Sequence, residues 1–297
     1  MESLPKITER VQLPLSIKVP PYVMDHQFQG KAVLPAVEAM ENLAASTRAH
    51  LPETAVFTMG DARFDKFLFI EDTQTPIDAF NDLEVFENGT VISRLITRTR
   101  SKKALITRTL KHATLCFRGV SNDSEPPSSE VPTVSEIHVS AETIYQSLVP
   151  FGPGYHNLRE GVALHKEGAW GAVYAPSWGD PKGLLGSPFP LDAAFHAACV
   201  WGQRYAGLVG FPVGFGLRRV FVPTRPGNTY AASILPKEVH PDRFLADIWI
   251  TGPDGALHEA VLGVVMKDVS GGRVRPPSWI VKQDANNPGL TWKKESC

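Results

Sequence analysis

The stretch His26-Gln-Phe-Gln-Gly30-Lys-Ala-Val-Leu-Pro35 places a histidine, a glycine and a proline at the spacing HxxxGxxxxP. Pro35 suits the first turn of a helix, where its missing N–H removes no hydrogen bond. The apolar members of residues 36–44 fall on one stripe, which predicts a buried helix. Gly30 permits a close backbone approach, so an N–H near it could receive a substrate carbonyl while His26 acts as a base. A lone histidine beside a turn glycine also fits a purely structural role.

A second motif lies far downstream, in Leu191-Asp192-Ala-Ala-Phe-His196, with the spacing DxxxH. On a helix Asp192 and His196 share one face, and their neighbours are almost wholly apolar. Burial disfavours the ionised form of a carboxyl group, so Asp192 fits a general acid that His196 holds by a hydrogen bond. Aspartate is also a favoured helix N-cap, so the motif alone leaves a capping role for Asp192 open.

These two motifs, with Phe151-Gly152-Pro153-Gly154-Tyr155 between them, resemble the HxxxGxxxxP, DxxxQ/H and YGPxF motifs of dehydratase domains. Such domains occur in modular polyketide synthases and polyunsaturated-fatty-acid synthases, and the resemblance covers about residues 10 to 275. It implies an α+β double hotdog fold, in which each half wraps a curved antiparallel sheet around a central helix. Phe151 stands where the family has tyrosine, so the role of that hydroxyl is either lost or carried by Tyr155.

The resemblance implies that His26 is the base and Asp192 the acid that convert a 3-hydroxyacyl thioester to the 2-enoyl thioester, with His196 orienting Asp192. No cofactor is expected, because the substrate is carried on the phosphopantetheine arm of an acyl carrier protein or on coenzyme A. Arg218 and Arg219 are predicted either to meet the acidic carrier protein or to form a solvated strand end. The residues expected to bind substrate are Gly30, Pro35, Phe151, Gly152, Pro153 and Tyr155, although Gly152 and Pro153 also suit an ordinary turn.

Three other functions fit the same residues. The first is a product-template domain that steers cyclisation of a polyketone chain. The second is a domain that shifts double bonds or closes oxygen rings, and the third is a non-catalytic scaffold that binds an acyl carrier protein. The intact His26 and Asp192 argue against the scaffold, whereas Phe151 leaves it open. Glu41 lies near the acid position of single-hotdog dehydratases, and we interpret it as a packing or vestigial carboxylate.

The composition of the 297-residue chain narrows the class of protein further. A net charge of −1 gives no electrostatic case for nucleic acid or an anionic membrane as a partner. The N-terminus lacks the apolar core of a signal peptide and no apolar run could span a bilayer, so a cytoplasmic location is expected. Met1 favours a free-standing protein, and the resemblance makes a homodimer an expectation. The cysteines, at positions 116, 199 and 297, have neither metal nor disulfide spacing.

Strand-like alternation on both sides of a Pro- and Ser-rich stretch predicts two halves. We predict an N-terminal hotdog over 1–118, a linker over 119–135, a C-terminal hotdog over 136–275 and a loosely held tail over 276–297. A short helix capped by Ser140 and a second central helix from Leu191 to about Tyr205 are also predicted. The predicted strands are 55–59, 67–70, 75–80, 89–97, 104–117, 161–165, 169–175, 220–222, 230–235, 243–251 and 256–267.

Overall fold

The structure, a computed structural model, describes residues 5–100, 107–118, 135, 137–178, 183–281 and 290–292, without the side chains of residues 100 and 290–292. The strands are β1 Ile7–Ile17, β2 Gln27–Phe28, β3 Lys31–Ala32, β4 Thr58–Phe64, β5 Ile77–Phe86, β6 Val91–Arg100, β7 Thr107–Phe117, β8 Ile137–Val139, β9 Val162–His165, β10 Gly168–Tyr174, β11 Phe211–Val220, β12 Thr229–His240, β13 Arg243–Thr251, β14 Leu257–Lys267 and β15 Leu290–Trp292. The α-helices are α1 Ala36–His50, α2 Ala141–Thr143, α3 Phe189–Trp201 and α4 Ser278–Val281.

Among the described residues, thirteen strands form one antiparallel sheet in the order β1-β5-β6-β7-β4-β11-β14-β13-β12-β10-β9-β8-β15, and β2 and β3 form a separate two-stranded sheet. The first half of the chain supplies β1, β5, β6, β7 and β4, and the second half supplies the other eight strands of this sheet. The two halves join where β4 pairs with β11, with Gly60 opposite Leu217. Helix α1 packs on β5, β6 and β7, and α3 packs on β10, β12 and β13. Each half therefore consists of antiparallel strands packed around one long helix, as predicted.

The two central helices differ in how much of their surface is buried. Helix α1 follows Pro35 and buries one face, which includes Val37, Met40 and Leu43, as the apolar stripe predicts. Helix α3 is buried along its whole length, Asp192 and His196 included. Because a helix enclosed on all sides carries its polar side chains into the interior, α3 brings a carboxyl group and an imidazole into the core.

Several strand assignments differ from the sequence-based expectation: β4 and β5 begin and end later than the predicted 55–59 and 75–80, and β1, β2, β3, β8 and β15 were not predicted. Strand β1 contains Pro14, and a proline is tolerated there because β1 is an edge strand. Strand β11 begins at Phe211, well before the predicted 220–222. Its pairing with β14 shifts register between Pro212 and Gly214, so its sequence lacks a regular alternating pattern there. The predicted strand 67–70 makes only an isolated bridge, between Phe69 and Val33.

The segments outside the two sheets are only partly described. The predicted linker lies outside the described residues except for Ser135. Ser140 caps the predicted short helix, because its side chain accepts a hydrogen bond from the Thr143 N–H. In the tail, Ile280 is buried and its carbonyl accepts a hydrogen bond of 2.8 Å from Arg204 Nη1. The expectation of a loosely held tail is therefore wrong for Ser278–Val281, because Arg204 anchors this short helix.

Candidate active site

A cavity of about 840 Å³ is lined by residues from both halves of the chain. Apolar side chains form most of its wall, and His26, Asp192 and His196 provide polar groups on it. The structure thus brings together the three residues that the sequence singled out as catalytic. No helix of the described chain is long and apolar enough to cross a membrane, and no group of three or more metal-ligating side chains occurs in that part.

His26 directs one ring nitrogen at the backbone and the other at the cavity. Its Nδ1 lies 3.1 Å from the carbonyl oxygen of Val33, so Nδ1–H donates to that carbonyl and Nε2 carries the lone pair. Nε2 lies 3.9 Å from Oδ1 of Asp192. Burial lowers the pKa of His26 below its ordinary value of 6.5, and it outweighs the opposing effect that Asp192 exerts when it is ionised. The ring is therefore neutral at neutral pH, which is the form a base requires.

Asp192 lies in the first turn of α3 and does not cap it. The cap position belongs to Pro188, whose carbonyl accepts a hydrogen bond of 3.2 Å from the Asp192 N–H. The Asp192 side chain instead lines the cavity and is only 5% exposed. The capping alternative is therefore wrong, and the carboxyl group is available for chemistry.

His196 lies beside Asp192, and a tyrosine that the sequence analysis missed holds its ring. His196 Nε2 is 3.0 Å from Asp192 Oδ2, although neither atom has an aligned hydrogen-bond partner among the described residues. The hydroxyl of Tyr145 accepts the Leu158 N–H at 2.9 Å and lies 3.4 Å from His196 Nδ1. Burial raises the pKa of Tyr145, so its hydroxyl keeps a proton that it can donate to Nδ1. His196 then keeps its own proton on Nε2, facing Asp192.

The Phe151–Tyr155 segment forms the wall behind His26. The ring centroid of Phe151 lies 4.4 Å from that of His26 and 5.0 Å from that of His196. The ring of Tyr155 packs 5.0 Å from that of His26. Burial raises the pKa of Tyr155 well above 10, so its hydroxyl stays protonated. Of the residues expected to bind substrate, Phe151 lines the cavity, whereas Gly152, Pro153 and Tyr155 are not among its lining residues.

Asp25, which the sequence analysis also missed, ties this segment to the residue before the base. The Gly154 N–H donates to Asp25 Oδ2 at 2.7 Å, and the Gly152 N–H donates to the Asp25 carbonyl at 2.8 Å. A Cβ at position 152 would overlap the carboxyl carbon of Asp25. The only signal in the sequence was a carboxylate adjacent to His26. Asp25 thus fixes where the Phe151–Tyr155 segment lies against the ring of His26.

Gly30 and Pro35 have structural roles and do not line the cavity. Gln29 and Gly30 have φ values of 51° and 75° and form the two-residue turn between β2 and β3. Gly30 is exposed in this turn, so the expected carbonyl donor near it is not supported. Pro35 precedes α1, with φ −60° and ψ 149°, while its neighbours Leu34 and Ala36 line the cavity.

The sequence analysis also predicted roles for three charged residues, Glu41, Arg218 and Arg219. The carboxylate of Glu41 accepts the N–H groups of Leu184 and Leu185 at 2.5 and 2.8 Å, which fits the predicted packing role. Arg218 is buried and its Nε lies 2.7 Å from Glu259 Oε1, so the prediction that it meets a carrier protein is wrong. The register of β11 with β14 sets this pairing, and the sequence does not reveal it. Arg219 is half-buried, and its predicted role stays a prediction.

No protein-family model and no curated protein matches the chain. Among solved structures, the dehydratase domain of a mycocerosic acid synthase-like polyketide synthase is 18% identical with a TM-score of 0.70, covering 87% of this chain and 90% of that one. The dehydratase domain from the CurJ module of curacin polyketide synthase is 18% identical with a TM-score of 0.68, covering 88% and 95%.

A third similar structure is a trans-AT polyketide synthase dehydratase domain from Brevibacillus brevis, 15% identical with a TM-score of 0.67 and covering 87% of this chain and 93% of that one. All three comparisons span both halves of the chain. They confirm the predicted double hotdog fold.

Proposed function

We propose that this protein is a 3-hydroxyacyl-thioester dehydratase with His26 as its base and Asp192 as its acid. The observation that carries the proposal is the 3.9 Å separation of His26 Nε2 and Asp192 Oδ1 on the wall of one cavity. Loss of water from such a substrate needs a base at C2 and an acid at the C3 oxygen at the same time. The names of the similar structures support the proposal, since they are dehydratase domains and a His-to-Phe variant of the CurJ domain is described as inactive.

The reaction follows from the two polar atoms that face each other. His26 Nε2 removes a proton from C2, and the electron pair of that bond forms the C2=C3 double bond. The C3–O bond breaks, and the departing oxygen takes the proton of the Asp192 carboxyl group, which yields water and the 2-enoyl thioester. This leaves an imidazolium ion beside a carboxylate. Transfer of the proton from His26 to Asp192 across their short separation restores both groups for the next cycle.

The neighbouring side chains position these two groups in the proposed mechanism. His196, with its proton on Nε2, places a positive edge beside the carboxylate that forms when Asp192 gives up its proton. Tyr145 fixes that proton arrangement through His196 Nδ1. Phe151 and Tyr155 hold the ring of His26 in place from behind. A preorganised arrangement of this kind avoids reorganisation during the reaction.

The proposal extends to the way in which the substrate arrives. A thioester on the phosphopantetheine arm of an acyl carrier protein is the proposed substrate, with coenzyme A as the alternative carrier. Arg219 remains the residue proposed to meet the acidic carrier protein, since arginine pairs well with carboxylates and phosphates. The reaction moves only protons and water, so the proposal requires no cofactor. A homodimer and a cytoplasmic location belong to the same proposal.

The test is incubation with a panel of 3-hydroxyacyl carrier proteins, followed by mass spectrometry of the acyl group. Wild type, Asp192→Asn and Asp78→Asn are compared, because Asp78 is an exposed residue of β5 and controls for the change of aspartate to asparagine. Loss of one water with wild type and Asp78→Asn, and not with Asp192→Asn, is the expected result. No loss of water at any chain length would overturn the proposal, and cyclisation of a poly-β-ketone substrate would then indicate a product-template function.

A further inference from the structure

The cavity does not end at the catalytic pair but continues into the core of the first half. Ala36 and Ala39 of α1 and Leu110 of β7 also line it. The cavity therefore reaches the side of α1 that faces the sheet. The protein therefore has room for a substrate group in a place where globular proteins normally pack side chains.

Polar side chains occupy the exposed part of the cavity wall and are scarce in its buried part. Gln27, Gln29, Lys66 and Arg108 line the cavity and are exposed, as expected at its mouth. Apart from the catalytic centre, the buried polar side chains on the described wall are those of His112 and Cys199.

Both ring nitrogens of His112 already have partners. Nδ1–H donates to the Lys66 carbonyl at 3.1 Å, and Nε2 accepts the Thr97 hydroxyl at 2.8 Å. The sulfur of Cys199 accepts a contact of 3.5 Å from Gln203 Nε2, and a thiol is a weak donor. The buried side chains of the described wall therefore offer little to a polar group of a substrate beyond its reacting end.

We infer that the acyl chain beyond C3 is a hydrocarbon of at least medium length that lies beneath α1, with Ala39 setting how long a chain fits. This inference rests on the proposed function. A carbonyl buried without a hydrogen-bond partner lowers binding by about 5- to 150-fold. A polyketone has such a group on alternate carbons, whereas a hydrocarbon chain has none.

The size of the cavity and the side chains of α1 indicate how long an acyl chain can bind. A volume of about 840 Å³ lies high in the range of roughly 300–1,000 Å³ that is typical of small-molecule sites. A butanoyl group would leave most of this volume empty. Helix α1 presents alanines at positions 36 and 39, one turn apart, and their small side chains leave the space open. Each methylene that enters raises binding by about fourfold.

The experiment compares kcat/KM for 3-hydroxybutanoyl, 3-hydroxyoctanoyl and 3-hydroxydodecanoyl groups on the same pantetheine carrier. In wild type we expect kcat/KM to rise with chain length. In Ala39→Leu we expect the ratio of dodecanoyl to butanoyl values to fall by roughly tenfold or more, because the larger side chain fills the space that the last carbons need. Leu110→Phe, which narrows the cavity from β7, provides a second and independent variant.

Ala45→Leu makes the same change on the exposed face of α1 and is expected to leave the ratio unchanged. A 5-oxo derivative of the dodecanoyl substrate should react at least about fivefold more slowly than the parent substrate. Equal kcat/KM for all chain lengths in wild type, an unchanged ratio in both cavity variants, or equal rates for the 5-oxo substrate would overturn the inference.

Failure of the proposed function gives a different result, because wild type would then dehydrate none of the substrates. In that case the thermal shift caused by dodecanoyl-pantetheine still tests the cavity. Stabilisation of wild type that is smaller in both Ala39→Leu and Leu110→Phe, and unchanged in Ala45→Leu, supports the inference. An equal shift in all four proteins contradicts it.

Discussion

At the scale of single residues, His26 owes its suitability as a base to its surroundings. The Val33 carbonyl takes the proton of Nδ1, which leaves Nε2 free to accept one. Phe151 and Tyr155 pack against the ring and cover part of its surface. Desolvation disfavours the charged imidazolium, so the same packing that positions the ring also keeps it neutral.

The lowered pKa of His26 predicts the acid side of the pH profile. Since the base must be neutral, kcat/KM falls only as pH drops below the pKa of His26 in the free enzyme, which burial holds below 6.5. The measurement is kcat/KM from pH 4.5 to pH 8 with a pantetheine substrate, which avoids titration of a carrier protein. An acid limb centred at or above 6.5 would show that this histidine is not desolvated in the way described.

The sequence motifs predicted which polar side chains meet on the cavity wall, but they did not predict the residues that hold these side chains in place. His26, Asp192 and His196 were identified from their spacing, and the fold brings them together. Tyr145 and Asp25 were missed because their roles depend on contacts between distant segments. The assignment of Gly30 failed for a related reason: a glycine with positive φ serves a turn as readily as a binding site.

At the scale of elements, the Phe151–Tyr155 segment positions the base more than it contacts substrate. Asp25 accepts two of its N–H groups, one with its side chain and one with its backbone. Gly152 and Gly154 lack the Cβ that would press on Asp25. The composition of the segment therefore reflects the close approach of two loops beside the active site.

We predict that Asp25→Ala lowers kcat by about 10- to 100-fold with little change in KM, because a small displacement of a catalytic group is costly in rate. Asp25→Asn keeps an oxygen that can accept the Gly154 N–H and should retain most of the activity. Steady-state kinetics, with thermal unfolding to confirm the fold, decide the matter. A kcat for Asp25→Ala equal to that of wild type would contradict the positioning role.

The helices and strands could be predicted from the sequence where apolar and polar residues recur with a regular period. Helix α1 and strands β13 and β14 match their periodicity in the sequence. Strand β1 was not predicted, although Val11, Leu13 and Leu15 alternate along it; a proline such as Pro14 fits a strand only at the edge of a sheet. Whether a strand lies at an edge depends on its partners in the whole sheet. Local sequence cannot supply that information.

At the scale of the whole molecule, several contacts join the two halves and so hold His26 close to Asp192. Strands β4 and β11 make the sheet continuous. Arg218 of β11 pairs with Glu259 of β14, and its Nη1 lies 3.5 Å from the sulfur of Met40 on α1. The carboxylate of Glu41 on α1 receives backbone N–H groups of residues 184 and 185 from the second half.

The buried pair at this junction should be important for stability. We predict that Arg218→Leu lowers the free energy of unfolding by about 3–5 kcal/mol, because it leaves the Glu259 carboxylate buried without its partner. Urea denaturation measures this change. Arg10→Leu is a matched control, since Arg10 is 68% exposed and its ion pair with Glu84 is worth about 1 kcal/mol or less. Equal losses in the two variants would contradict the buried pairing.

The central claim is that His26 from one half and Asp192 from the other act on one substrate as a unit. Single-turnover rates for wild type, His26→Ala, Asp192→Asn and the double variant, all with 3-hydroxydodecanoyl-pantetheine, test it most directly. We predict that each single change lowers the rate by about 10²-fold or more, and that the double variant is nearly as active as the slower single variant. Losses that multiply in the double variant, or a wild-type rate in either single variant, would contradict the claim.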